Sequence, residues 1–263
     1  MEPYLPKDSP QSEKPAHSLP PSFVTKSKLW LADTGKQLAI AIVIVMFLRS
    51  SIIEPYKIPS GSMIPTLFIG DHIFVNKFAY GFKVPFTEFF LDKPLYVSEE
   101  KLPARGDVIV FKFPKDPTIN YIKRVVGLPG DKIQIRDKVL YINGQEIKTE
   151  KLVDPKMDEG IENDDDRRVL SLYAEDLMGV KHPVLYNMTT LMNSDYVEVT
   201  VPTGKLLCLG DNRDKSSDSR FWGFVPIENI KGKAMFVWLN FALTMEDRFG
   251  VDFRAGRIGN VIH

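Results

Sequence analysis

From Leu38 to Leu48 the chain reads LAIAIVIVMFL, eleven residues without a polar side chain, and this run limits what the segments on either side can become. With Lys36-Gln37 before it and Arg49 to Ile53 after it, the segment reaches about 18 residues, close to the length of a bilayer-spanning helix. The uninterrupted core alone is too short to span. Eleven apolar residues would also suit a buried core helix. Against that reading, the run is apolar on every face and is flanked by Lys26, Lys28 and Lys36 before and by Arg49, Tyr56 and Lys57 after. Side chains of that length reach a membrane interface from a buried stem. A cleaved secretion signal has an apolar core of similar length, but a polar stretch precedes this one, and RSSIIEP is a poor small-residue cleavage site. The expectation is a single transmembrane anchor over residues 37–54. The lysines ahead of it favour an internal N-terminus, with Arg49 and Lys57 weighing the other way. Residues 1–36, rich in Pro, Ser and Lys, read as a disordered cytoplasmic tail that cannot offset its own ordering entropy.

Composition narrows the classes of partner. The 263 residues carry 34 lysines and arginines against 34 aspartates and glutamates, so no global field argues for nucleic acid. The single cysteine, Cys208, rules out an internal disulfide and a multi-cysteine zinc site.

Beyond the anchor the chain reads as mainly β. DHIFVNKF (71–78), GDVIVFKF (106–113), YIKRVVGL (121–128), KIQIRD (132–137), KVLYING (138–144), YVEVTV (196–201) and KLLCLG (205–210) are short, rich in Val, Ile and aromatics, and punctuated by turn formers. Asn143-Gly144 is a hairpin signal. A strongly bent all-β or mainly-β body over 55–147 and 199–263 is expected. Residues 148–198 carry six lysines and arginines against twelve aspartates and glutamates and read as an acidic inserted subdomain. Asp164, Asp165 and Asp166 lack the spacing of a calcium loop and are expected in a solvated acidic loop.

The stretch YKIPSGSMIPTL, Tyr56 to Leu67, holds two serines one residue apart. Serine is a weak nucleophile until a base lies within hydrogen-bond reach. His17, His72, His182 and His263 occupy no favourable frame, His72 reading as a plain strand residue, and no G-x-S-x-G or HExxH pattern occurs. A desolvated lysine is the remaining solution, since loss of hydration lowers its pKa until the neutral amine can accept a proton. Lys123 is the candidate, because NYIKRVVG alternates Tyr121, Lys123 and Val125 on one face with Ile122, Arg124 and Val126 on the other. One of two adjacent basic residues is thus expected to point inward. An edge-strand lysine that discourages aggregation is the rival reading.

PSGSMIPTL, GDHIFVNK, YIKRVVGLPGD and GDNRDKSSDSRFWGFVP, in this order after an apolar run, resemble the successive motifs of bacterial type I signal peptidases, membrane serine endopeptidases of the Ser-Lys class. The resemblance spans Pro59 to Pro226 and does not extend to the N-terminal tail or to 148–198. It implies a fold of bent antiparallel sheets with one N-terminal transmembrane helix. It also implies that Ser62 is the nucleophile, Lys123 the general base, and Ser60 a hydroxyl donor to the oxyanion. Ser216 would orient the lysine amine, and Asp218 and Arg220 would form a supporting ion pair. Ile58, Met63, Leu67, Tyr121 and Ile122 would line a groove for small side chains. The substrates implied are secretory preproteins cut after Ala-x-Ala-like sites, at the outer side of a bacterial inner membrane, with no metal or cofactor. Many Gram-negative members carry two N-terminal spans, and some carry a cysteine pair; neither is matched here. Exposed Phe86, Phe89, Phe90, Trp238 and Phe241 are expected at the membrane interface. The rivals are the self-cleaving repressors, which carry a DNA-binding module in place of the apolar run, and a non-catalytic membrane-anchored β module.

Overall fold

The structure, a computed structural model, describes residues 23–81, 84, 87, 95, 97, 101–153, 161, 164–191, 194–244 and 250–263. Phe86, Phe89 and Phe90 lie outside the described residues. The chain divides into two units, Met1–Met46 and Phe47–His263.

A single helix, α1 (Phe23–Ser51), contains the apolar run and begins well before it. Residues 23–36, expected in the disordered tail, are therefore helical. Extending an existing helix adds one hydrogen bond for each residue fixed, so Leu29 to Ala32 and Lys36-Gln37, all fair helix formers, continue what the apolar run nucleates and carry Gly35 with them. At its other end α1 stops before the expected limit, because Pro55 disfavours helical backbone in Glu54 and the chain enters β1 (Ile53–Lys57). Among the described residues no helix is long and apolar enough to cross a membrane.

The second unit is built of antiparallel sheets. β1 is followed by β2 (Asp71–Asn76), β3 (Val108–Phe113), β4 (Asp116–Gly127), β5 (Lys132–Arg136), β6 (Val139–Ile142) and β7 (Gln145–Glu146). Then come β8 (Thr149–Lys151), a short helix α2 (Asp164–Val169), β9 (Leu170–Asp176), β10 (Lys181–Asn187), β11 (Tyr196–Thr200) and β12 (Lys205–Leu209). The chain ends through α3 (Ser219–Trp222), β13 (Val225–Pro226), β14 (Ile230–Asn240), β15 (Ala242–Thr244) and β16 (Gly250–Asp252). Seven strands form the main sheet in the order β1-β2-β14-β3-β4-β12-β13; β11-β5-β6-β7 form a second sheet and β10-β9-β8 a third. Register shifts within β14, β12 and β3 mark bulges, which bend a sheet.

Asn143 and Gly144, both with positive φ, turn β6 into β7, with Ile142 opposite Gln145. This is the hairpin read from the sequence. Asp137 and Lys138, also at positive φ, make the corresponding turn between β5 and β6. Asp164 to Asp166 open α2 instead of lying in a loop, with exposed Asp165 facing Arg168 one turn on. β11 pairs with β5 and so straddles the boundary expected for the acidic segment, whose own strands β8, β9 and β10 form the third sheet.

β4 lies between β3 and β12, so Lys123 is not an edge residue. Its exposed end, Pro117 to Asn120, gives way to half-buried Tyr121 and Ile122 and then to five buried residues, Lys123 to Gly127. One of the two basic residues was expected to point inward, and both are buried: Lys123 is 4% exposed and Arg124 0%. Both faces of this strand are covered, one by the cluster of Ile73, Val75, Val108 and Val110, the other by that of Ile109, Phe111 and Cys208. Arg124 tolerates this because every donor direction is used. Its Nε and Nη2 donate to the Asp211 carboxylate at 2.8 and 2.7 Å, Nη1 donates to the carbonyls of Gly106 and His263, and Nη2 also reaches Thr66 Oγ1. Removing one member of such a pair strands the other charge, whereas removing both does not. Arg124→Met is expected to lower unfolding free energy by about 3–5 kcal/mol, and Arg124→Met with Asp211→Leu to recover much of that loss, as read by denaturant titration of the detergent-solubilised chain.

Candidate active site

After β1 the chain passes through Ile58 and Pro59 into a single 3₁₀ turn, Gly61–Met63, entered from Ser60 in extended backbone (φ −139°, ψ 155°). Ile64 N donates to Gly61 O at 3.2 Å and Leu67 N to Met63 O at 2.9 Å, which fixes the turn from below. Asn212 fixes it from the side, its backbone N donating to Ser62 O at 3.2 Å and its Nδ2 to Gly61 O at 3.1 Å. Ser62 is thereby presented with its carbonyl engaged and its hydroxyl toward β4.

Lys123 meets it there. Lys123 Nζ donates to Ser62 Oγ at 2.7 Å and to Ile122 O at 2.8 Å, and lies 5.5 Å from the centroid of the Tyr121 ring. Burial pulls the lysine ammonium down to about 8, although the carboxylates of Asp218 and Asp211 act in the opposite sense. An amine with that affinity for protons is partly neutral near pH 7–8, and a neutral amine can accept the proton of the hydroxyl it now touches. Ser60 Oγ stands 3.4 Å from Ser62 Oγ.

The loop after β12 closes the site. Asp218 caps α3 by accepting from Arg220 N, and its carboxylate takes Arg220 Nε at 2.8 Å and Nη2 at 2.7 Å in a two-pronged pair. The second oxygen also accepts from Gly210 N at 3.0 Å, and Arg220 Nη2 reaches the carbonyl of Arg213. Ser216 is buried, and its Oγ has no hydrogen-bond partner among the described residues, so it makes no bond to Lys123 here. It packs instead against Gly210, where an added Cβ would collide with Ser216 Oγ and with the Ser62 carbonyl oxygen. That close approach requires glycine at 210. Ser217 faces the cleft.

Ser60, Ser62 and Lys123 open onto a cavity of about 670 Å³. Of the five residues expected to line a substrate groove, Tyr121 and Ile122 lie on the wall of this cavity. Ile58, Met63 and Leu67 do not: they are 2%, 0% and 0% exposed and belong to the core shared with Ile73, Val75, Val108 and Val237. Their apolar character serves that packing. The apolar wall of the cleft comes from Ile64, Ile69 and Ile119 together with Ile161 and Leu170 of the acidic segment, none of which sequence reasoning singled out. Asn212, Asp211 and Arg124 were missed as well. The adjacency of Arg124 to Lys123 was the available signal, since a second buried charge requires a carboxylate. Trp238 stacks on Phe74 with ring centroids 5.3 Å apart and remains 36% exposed, and Phe241 is half-buried.

Residues 31–239 match the model of the family described as signal peptidase, peptidase S26. A signal peptidase I of Pseudomonas fluorescens is 44% identical over 223 residues, 80% of this chain and 73% of that one. A signal peptidase I of Rickettsia felis is 38% identical over 219 residues, 80% of each chain. A solved signal peptidase I from Enterococcus faecalis is 29% identical, with a TM-score of 0.30, over 51% of this chain and 97% of that one. On these matches the chain belongs to the signal peptidase family, peptidase S26, and is a serine peptidase.

Proposed function

We propose that this chain removes N-terminal signal peptides from exported preproteins through an acyl-enzyme formed on Ser62, with Lys123 as the general base. The observation that carries the proposal is the 2.7 Å contact between Lys123 Nζ and Ser62 Oγ in a buried setting on the wall of a cleft. In the first step neutral Lys123 takes the Ser62 proton as Oγ attacks the scissile carbonyl carbon. The oxyanion that forms is stabilised by the Ser60 hydroxyl and the Ser62 backbone N–H. Collapse breaks the C–N bond, and the amine of the mature protein leaves with the proton from Lys123. Water then attacks the ester, Lys123 again takes a proton, and the signal peptide leaves as a carboxylic acid as Ser62 recovers its hydrogen.

The neighbouring residues take defined parts. Asp218 and Arg220 hold the loop at Gly210 and Arg213, and Ser216 closes on the amine when substrate excludes water. Tyr121 and Ile122 border the scissile bond and favour small side chains on its N-terminal side, as an Ala-x-Ala-like site provides.

α1 anchors the chain in the bacterial inner membrane with a single pass, its N-terminus cytoplasmic and the β unit outside. Every side chain from Leu38 to Met46 is apolar and exposed, including Ile40 at 60% and Val43 at 65%, and a continuous apolar surface of this kind fits lipid. Ser62 stands eleven residues beyond the end of α1 at Ser51, a tether of about 36 Å at most. The chemistry therefore takes place near the bilayer surface, where an emerging signal peptide is held.

The test is incubation of the detergent-solubilised chain with a preprotein, alongside Ser62→Ala and Lys123→Ala. Wild type is expected to cut at the signal junction and each variant to lose about 10³-fold or more in kcat. Failure of wild type to cut, or variants that cut as well as wild type, removes the proposal. The base must be neutral, so activity is expected to fall about tenfold for each pH unit below a midpoint near 8 and to level off above it. Lys123 is also easier to bury uncharged than charged: its folded value lies below its unfolded one, so folding stability is expected to rise between about pH 8 and about pH 10.5. Lys123→Met should abolish that rise. Gly210→Ala, which thrusts a methyl between Ser216 and Ser62, is expected to cut kcat about 100-fold with a smaller change in KM.

A further inference from the structure

In β9 and β10, Glu175 and His182 stand opposite each other, and both side chains are fully buried. The Glu175 carboxylate receives Arg213 in a two-pronged pair, Nη1 to Oε1 at 2.6 Å and Nη2 to Oε2 at 2.5 Å, and His182 Nε2 lies 3.2 Å from Oε2. Arg213 Nη1 also donates to Tyr186 Oη at 2.8 Å, and the other ring nitrogen of His182 lies 3.6 Å from Asp211 Oδ1. Two carboxylates and two guanidinium groups, Glu175 with Arg213 and Asp211 with Arg124, are thus gathered around one imidazole, all inside the protein.

The main chain follows the side chains. Leu185 N donates to Asp211 O at 2.9 Å and Arg213 N donates to Leu185 O at 3.0 Å, so β10 grips the residues on each side of Asn212. Asn212 in turn holds the carbonyls of Gly61 and Ser62. Leu170, Leu172 and Leu185 pack with Ile64 and Phe68, just beyond the nucleophile. The acidic segment is therefore fastened to the site by charge and by apolar contact.

We propose that the β9–β10 hairpin is a positioning element for the reaction: Glu175, by locking Arg213, sets the Asp211–Arg213 main chain against Ser62 and so aligns the hydroxyl with Lys123. The proposal deepens the Ser-Lys reading and rests on it. Glu175 reaches no reacting atom. Its effect passes through two hydrogen-bonded layers, where a displacement well under 1 Å at Asn212 moves Ser62 off the lysine.

A pair that only stabilised the fold would alter melting and leave the chemistry of folded molecules intact, so the test reads both. Glu175→Gln keeps the shape and weakens the pair, and Glu175→Leu with Arg213→Met removes it without leaving a buried charge. Each is made in the wild-type chain and in a Ser62→Cys background, with Arg168→Ala, whose side chain is exposed in α2, as a control. In the wild-type background kcat on a preprotein is expected to fall about 10- to 100-fold in molecules that still melt cooperatively, with KM within about twofold. In the Ser62→Cys background, the pH profile of alkylation by iodoacetamide is expected to move from a lysine-paired thiol toward an unperturbed one, near 8.5. Cys208 is fully buried and does not compete for the reagent. Cooperative melting with wild-type kcat and a wild-type alkylation profile in both pair variants overturns the proposal. If wild type does not cleave the preprotein, the peptidase reading falls, and the alkylation profiles still decide whether the hairpin positions residue 62.

Discussion

Two adjacent basic side chains buried on opposite faces of one interior strand set the terms for the rest of this structure. Arg124 is saturated: a carboxylate, carbonyl oxygens and a hydroxyl meet its donors. Lys123 is left short, with one carbonyl and one serine hydroxyl, and its nearest carboxylates are already occupied by Arg124 and Arg220. The same strand therefore carries one basic group with every donor satisfied and one that burial pushes toward its neutral form. In the proposed reaction that inequality separates the residue that builds the site from the residue that acts in it. Arg124 also explains Asp211, and Asp211 in turn fixes the loop that holds Ser62.

Strands with regular alternation were legible. β2 buries Asp71, Ile73 and Val75 and half-buries His72, Phe74 and Asn76, as its sequence suggests, and the Asn143-Gly144 turn follows from its residues alone. β14 was not legible, because its inward positions include Gly232 and Ala234, with lysines between. Neighbouring β2 passes so close that a Cβ at 232 would strike the backbone of Asn76. Small residues chosen for close packing give no hydrophobic signal. Averaging over residues 148–198 hid β9 and β10 for a different reason: twelve acidic residues suggested solvent, while one of them, Glu175, is buried and partnered with His182.

The site divides along the same line. The pairing of Ser62 with Lys123 joins residues 61 apart, and no spacing rule in either segment connects them. The order of four motifs did. Motif likeness carried less far for the groove, where Ile58, Met63 and Leu67 serve the core and residues of the acidic segment supply the wall. Apolar residues beside a nucleophile can face the substrate or the interior, and only the path of the turn decides which.

The lone thiol has a consequence for where such a protein can work. Cys208 lies in β12 with no exposed surface, and burial, reinforced by the charge of Asp218, pushes its proton affinity up. A thiol that stays protonated and unreachable is neither a nucleophile nor a target for exchange. The second unit thus takes its shape from buried ion pairs and apolar packing that are indifferent to redox potential. It can fold on either side of a membrane without an oxidase and without a partner cysteine to find.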